Sequence, residues 1–267
     1  MFQSFEATTR ANQGPPRLAA LREAMAAHHV AAFVVPRADA HQGEYVAPCD
    51  ERLAWLTGFT GSAGFAVALA EEAAIFVDGR YSVQVRAQVA TQCFAPVDWP
   101  KTKLGPWLAE RLGGDAAVGL DPWLHTTAEM EALERAGVTV RPVPNLVDSV
   151  WADRPAPPAG EVTPYPAELA GKTHDQRRAE ISATLREAGQ RAAVLTLPDS
   201  ISWLLNIRGA DLPHVPVVQA FAILHEDGRV TAFTDPGKMS SVAAHLGTDV
   251  EVKPAAAFDT ALRGLSG

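Results

Sequence analysis

The chain has 267 residues, 47% of them apolar and 20% charged, a composition that supports one large or two ordinary domains with real cores. A net charge of −8, with no Lys/Arg run to offset it, excludes a nucleic-acid footprint. The longest apolar stretches, Val30–Pro36 and Ala63–Ala70, are strand-sized and fall well short of the ~20 residues a bilayer requires, so no membrane association is expected.

Residues 1–16 are polar, lack the apolar segment of a secretory signal and read as a flexible start ending in Gly14-Pro15-Pro16. Leu18, Leu21, Met25 and Ala26 give a helical period over Arg17–His29. Val30–Pro36 is a buried strand, Glu51–Leu56 a short helix, and Phe65–Leu69 with Ala73–Val77 a strand pair around Glu71-Glu72. From Arg80 onward helices and strands alternate. The helices fall at Tyr81–Ala90, Leu104–Leu112 and Thr126–Ala136; the strands fall at Cys93–Val97, Ala116–Leu120 and Val138–Val143. Thr126 with Glu129 forms a capping box, and Gly137 stops that helix. This alternation implies βαβ units and a largely parallel sheet, with the early hairpin adding an antiparallel part.

Arg154–Pro166 holds five prolines in thirteen residues and reads as an extended spacer. The same plan then starts again. Lys172–Ala188 is a helix opened by Thr173 and Gln176, and Arg191–Leu197 mirrors Val30–Val35. Asp199–Gly209 mirrors Glu51–Gly61, with Trp203 on Trp55 and Gly209 on Gly61. A hairpin at Gln219–His225 and Arg229–Phe233 follows, turning at Glu226-Asp227-Gly228, and Asp235-Pro-Gly-Lys238 stands where Asp78-Gly-Arg80 stood. A helix near Met239–Leu246, a strand at Val250–Lys253 and a helix near Phe258–Leu265 close the series.

The expected fold is α/β: two tandem related domains, each a mixed, largely parallel sheet flanked by helices. The second lacks the last two or three elements of the first. The expected divisions are a flexible start at 1–16, domain I at 17–153, a proline-rich linker at 154–171 and an incomplete domain II at 172–267.

Few residues carry an obvious chemistry. Gly58-x-x-Gly61-x-x-Gly64 has neither dinucleotide nor P-loop spacing and reads as turns and close backbone approach. The eight histidines include no HExxH and no zinc spacing. Asp39-x-His41 and Asp211-x-x-His214 are compact acid–histidine pairs whose plain reading is a local hydrogen bond in a loop. Cys49 and Cys93, without CxxC spacing, read as buried inert thiols and fit a reducing cytosol. Trp55 and Trp203, at equivalent positions, read as core. Arg80 follows a strand-ending Asp78-Gly79; its fork either holds a carboxylate or peptide carbonyl, or pairs with Asp78 or Asp50.

Glu44-Tyr-Val-Ala-Pro-Cys-Asp-Glu-Arg52, Gly58-Phe-Thr-Gly-Ser-Ala-Gly64 and Val77-Asp-Gly-Arg-Tyr81 resemble the first N-terminal domain of cytosolic-type Xaa-Pro aminopeptidases of the creatinase/prolidase superfamily. Asp199–Pro216 resembles that family's second N-terminal domain. The resemblance covers residues 17–267. It implies two domains with an RNase H-like motif. It also implies a parent enzyme whose separate C-terminal domain holds two divalent metals, usually manganese, on two Asp, one His and two Glu. None of those ligands maps onto this chain, so it is expected to hold no metal, to carry no catalytic residue and to be inactive alone. Arg80 maps onto an arginine that contributes at the rim of the cleft, and the loop His41–Asp50, with His41, is a candidate to line it. The implied partners are the parent's catalytic domain and peptides with proline second, with a homodimer as a further allowed assembly and a cytoplasmic location. Two alternatives stand beside this reading. One is a stand-alone peptide- or protein-binding module of the same fold. The other is part of a creatinase or prolidase, against which the second repeat argues.

Overall fold

The computed structural model describes residues 9–114 and 116–265. The chain divides after Ala156 into two compact units. The first runs α1 (Gly14–Ala27), β1 (Ala32–Pro36), α2 (Arg52–Thr57), β2 (Phe65–Leu69), β3 (Ala73–Val77), α3 (Gln84–Gln88), β4 (Ala95–Asp98), α4 (Leu104–Ala109), β5 (Ala117–Leu120), α5 (Thr127–Arg135), β6 (Thr139–Pro142) and α6 (Leu146–Val150). Of the expected flexible start, residues 1–8 lie outside the described residues, and Ala11–Gln13 form a 3₁₀ turn leading into α1. That helix begins at Gly14, upstream of the expected Arg17, because Pro15 and Pro16 occupy its first turn, where a missing N–H costs nothing.

The six strands form one mixed sheet in the order β4-β3-β2-β1-β5-β6. β1–β5, β5–β6 and β3–β4 pair in parallel, whereas β1–β2 and β2–β3 pair antiparallel. Both faces are covered, which is why β1 reads as an unbroken apolar run rather than an alternating one. Phe33 and Val35 point into a core shared with Leu18, Leu21 and Met25 of α1 and with Leu146 and Val147 of α6. Ala32 and Val34 point into the opposite core, with Trp107, Leu108 and Leu133 from α4 and α5. The capping box at Thr126 and Glu129 is present as read. The helix expected over Tyr81–Ala90 is instead a 3₁₀ turn at Gly79–Tyr81 followed by α3, since the Asp78 carboxylate accepts the Arg80 N–H and tightens the chain there.

The second unit runs β7 (Val162–Pro164), α7 (Ala167–Ala170), α8 (His174–Glu187), β8 (Ala192–Leu195), α9 (Pro198–Leu204), β9 (Ile207–Gly209), β10 (Phe221–His225), β11 (Val230–Phe233), α10 (Pro236–Met239), α11 (Ala243–Leu246), β12 (Val250–Lys253) and α12 (Phe258–Arg263). The proline-rich stretch is structured: β7 pairs antiparallel with β9 in a two-stranded ribbon, where the missing N–H of Pro164 falls at a strand end. The main sheet has the order β12-β11-β10-β8, with one parallel and two antiparallel pairings. Its strands are the counterparts of β1 to β4; among the described residues nothing corresponds to β5 or β6. Ala222 and Leu224 face Leu185, Ile201 and Leu204 on one side, and Ile223 and Phe233 face Phe258 on the other. Among the described residues no helix is long and apolar enough to cross a membrane.

Candidate functional site

In an open sheet with helices on both faces, the ends of parallel strands leave a crevice where loops present side chains. In the first unit β1, β3, β4, β5 and β6 all run the same way, so their carboxyl ends share one edge. The loop after β1 and the turn after β3 deliver both sequence-predicted residues, His41 and Arg80, to that edge.

Asp39, buried just past β1, accepts the backbone N–H groups of His41 and Gly43, each at 3.0 Å. This carboxylate shapes the loop, and Gln42 takes a left-handed conformation at φ 56° within it. The plain reading of Asp39-x-His41, a local hydrogen bond, is therefore present at the backbone of His41. Arg37 braces the same loop by donating to the Glu44 carbonyl at 2.7 Å and the Ser62 carbonyl at 3.2 Å.

Arg80 is clamped by its own neighbour. Its Nε lies 3.1 Å and its Nη2 2.7 Å from the two Asp78 oxygens, and Asp78 also accepts the Arg80 N–H at 2.9 Å. This bidentate pair holds the Asp78 carboxyl below its usual range. The guanidinium sits 5.2 Å from the centroid of the Tyr81 ring, and the Tyr81 hydroxyl is fixed by Ser62 at 2.6 Å. The Arg80 side chain is 67% exposed. Of the two alternatives the ion pair is present, with Asp78, and the far side of the fork faces solvent. Asp50 takes no part, since it pairs with Arg52 at 2.8 Å and Arg154 at 3.5 Å.

The second unit uses its equivalent cation differently. Lys238 is buried and donates to Asp211 at 2.7 Å, while Asp211 also accepts from the N–H groups of Gly160 and Gln219. Asp235, the counterpart of Asp78, caps Gly237 instead. The Asp211-x-x-His214 pair is accordingly spent on Lys238 and backbone, with His214 exposed. One copy of the motif locks its own fold and the other presents its cation to solvent.

The two tryptophans also part company. Trp55 packs against the first core, stacked on Trp151 at 5.2 Å with the Arg17 guanidinium 4.6 Å from its ring. Trp203 keeps the arginine, Arg177 at 4.4 Å, but is 47% exposed. The core reading fails for Trp203 because the second unit has no described helix corresponding to α6, which brings Trp151. Cys49 is buried, and burial, reinforced by Asp50, pushes its thiol up to about 11, so it stays protonated and unreactive at neutral pH; Cys93 is half-buried. The glycine series serves geometry: Gly58 ends α2 at φ 86°, and at Gly64, at φ 150°, a Cβ would lie 2.8 Å from the Phe76 carbonyl. Among the described residues no group of three His, Cys, Asp or Glu could hold a metal ion.

Sequence reasoning missed an ion network around the buried Arg52, whose partners are half-buried. Arg52 donates from Nε and Nη2 to Asp148 at 2.6 and 3.0 Å, and Arg154 reaches Asp148 at 2.7 Å and the Cys49 carbonyl at 2.8 Å. The signal for α6 was present: Asn145 precedes an apolar pair and caps the Val147 and Asp148 amides.

Two family models, each described as a creatinase/prolidase N-terminal domain, match residues 17–150 and 153–267. A probable Xaa-Pro aminopeptidase P of Neosartorya fischeri is 38% identical over 253 residues, covering 89% of this chain and 38% of the relative. One from Coccidioides posadasii is 38% identical over 266 residues, covering 94% and 42%. An X-prolyl aminopeptidase from Caenorhabditis elegans, described as a cytosolic enzyme with a di-nuclear active site, superposes with a TM-score of 0.86 at 30% identity over 94% of this chain and 44% of that structure. The chain thus spans about two-fifths of the length of the relatives it matches. With one model on each unit, the chain belongs to the creatinase/prolidase N-terminal domain family and carries two of its domains in tandem.

Proposed function

We propose that these two domains are the non-catalytic N-terminal region of a cytoplasmic Xaa-Pro aminopeptidase, where they shape the cleft of an enzyme that removes an N-terminal residue preceding proline. Support comes from the two family matches and from the names of relatives that are more than twice as long. The residues described here do not fit a dinuclear metal centre, so no step through a metal, manganese or other, is derived for this chain. Such a centre belongs to the remainder of the parent enzyme.

The chain's own contribution is the carboxyl edge of the first sheet, and the observation that carries it is the exposed, preset Arg80. Asp78 occupies Nε and one hydrogen of Nη2, which leaves the outer N–H groups of the planar fork for a peptide carbonyl or carboxylate. A side chain fixed before substrate arrives loses less entropy on binding than a mobile one. His41, on the loop held by Asp39, lines the same edge.

In the full-length enzyme, Arg80→Ala is expected to lower kcat/KM on an Xaa-Pro peptide by about tenfold, the equivalent of one charge-assisted hydrogen bond, with the melting temperature unchanged because the pair is exposed. Unchanged kcat/KM in a folded variant would leave Arg80 a surface ion pair and nothing more.

A further inference from the structure

Arg80 stands at the carboxyl edge of the first sheet with its charge already matched. Both Asp78 oxygens lie against the fork, at 3.1 Å from Nε and 2.7 Å from Nη2, and the Asp78 side chain is 17% exposed against 67% for Arg80. Charge and geometry together hold a bidentate pair of this kind. Glu44, exposed on the loop after β1, adds a second negative charge from nearby. Arg37, the other cation of that loop, is turned to Glu51 at 3.9 Å. The spare N–H groups of Arg80 therefore offer hydrogen bonds without a surplus of positive charge. A second carboxylate arriving there meets two carboxylates and one cation, whereas a peptide carbonyl takes the same hydrogen bond and brings no charge.

A separate observation points to the same ligand. Among the described residues, the large apolar side chains that the first unit exposes are Tyr45, Val83 and Trp123. They lie in the loops that follow β1, β3 and β5, three strands whose carboxyl ends share the edge of Arg80. The third loop is also held in shape: Asp121 accepts the Trp123 N–H at 2.9 Å and the Asn145 amide at 3.1 Å. Exposed apolar side chains gathered at one edge mark a contact surface. Combined with a neutralised donor, they fit uncharged main chain with apolar side chains and do not fit a charged chain end.

We propose that Asp78 sets specificity: by neutralising Arg80 it makes the fork a receptor for a backbone carbonyl of a peptide that continues past it, and turns away the terminal carboxylate of a peptide that ends there. Asp78 acts through Arg80 and is a positioning residue. The proposal rests on the reading of the chain as part of an Xaa-Pro aminopeptidase, and names the substrate class of that site.

Xaa-Pro peptides extended by alanines to increasing length, each as free acid and as C-terminal amide, test it in the longer enzyme and its Asp78→Asn variant. Asparagine keeps an oxygen for the Arg80 N–H, so the turn is retained. At the length that brings the chain end to the fork, the wild type should favour the amide about fivefold in kcat/KM. In Asp78→Asn the amide-to-acid ratio should fall about tenfold, so that the acid is favoured. Longer peptides carry the terminal charge away, and both proteins should treat the two forms alike. A ratio that is the same in both proteins at every length overturns the proposal, as does a wild type that favours the acid. Calorimetric titration with the same pairs, chelator present, reads the preference without turnover. An enzyme that cuts before proline with unchanged ratios defeats the role of Asp78 alone; a shifted ratio in the titration without cleavage upholds that role and defeats the peptidase reading.

Discussion

Asp148 holds two arginines at once, Arg52 and Arg154, and Arg52 is itself buried. Removing one member of such a set leaves a buried guanidinium without its best partner, which costs far more than the pair contributes against an apolar replacement. Asp148→Ala is therefore expected to destabilise the first unit by about 3 kcal/mol, read as a lower urea midpoint at unchanged slope; a loss under about 1 kcal/mol would place the network among ordinary surface pairs. None of this was legible residue by residue, because Arg52 and Asp148 lie far apart in sequence and only the packing of α2 against α6 joins them. Arg80 was legible, since the turn after β3 fixes where it points. Its partner could be narrowed only to Asp78 or Asp50, and the short Asp78-Gly-Arg80 spacing decided it. Trp203 was misread because equivalence of position was taken to mean equivalence of surroundings.

Elements were legible where local chemistry alone determines them. The capping boxes at Thr126 and Thr173 and the hairpin at Asp227-Gly228 stand where the sequence puts them. Elements that depend on tertiary partners were not: β7 and β9 exist only as each other's partners. The five-residue α6 stands between the two, its Asn145 cap readable in the sequence and its packing on α1 not. In the second unit, helices α8, α9 and α11 are tied by two histidines. Buried His174 donates from Nε2 to the His245 carbonyl at 2.8 Å, and His245 to the Leu205 carbonyl at 3.0 Å, with the rings 4.8 Å apart. His174 Nδ1 has no hydrogen-bond partner; Asp175, Arg178 and His245 are the titratable and charged groups around it. Burial lowers the His174 pKa from 6.5, only partly offset by Asp175. A depressed folded-state value means the unfolded chain binds the proton first. The stability is thus complete above about pH 6.5 and is lost as pH falls from there toward the folded-state value. The melting temperature of the second unit should drop through that window, and His174→Gln, which can still donate to the His245 carbonyl, should flatten the drop. Parallel pH profiles for the two proteins would contradict this assignment.

At the scale of the molecule, duplication organises the chain. Both units build a mixed sheet on the same hairpin, with an arginine on a tryptophan beside it. They differ in what each copy does with its motif: the first turns its cation outward at the carboxyl edge, and the second buries it against Asp211. The repeat made the tandem α/β architecture legible from the sequence. The proposed activity was legible only through family resemblance, because among the described residues no group of His, Cys, Asp or Glu could hold a metal ion and the sequence offers no nucleophile–base motif to argue from. The most direct test of the account is kcat/KM on a peptide with proline in second position, with divalent metal supplied, for the 267-residue chain and for the longer enzyme that contains it. The account predicts turnover by the longer enzyme and none by the chain alone. Cleavage by the chain alone, or a longer enzyme that does not cut before proline, would contradict it.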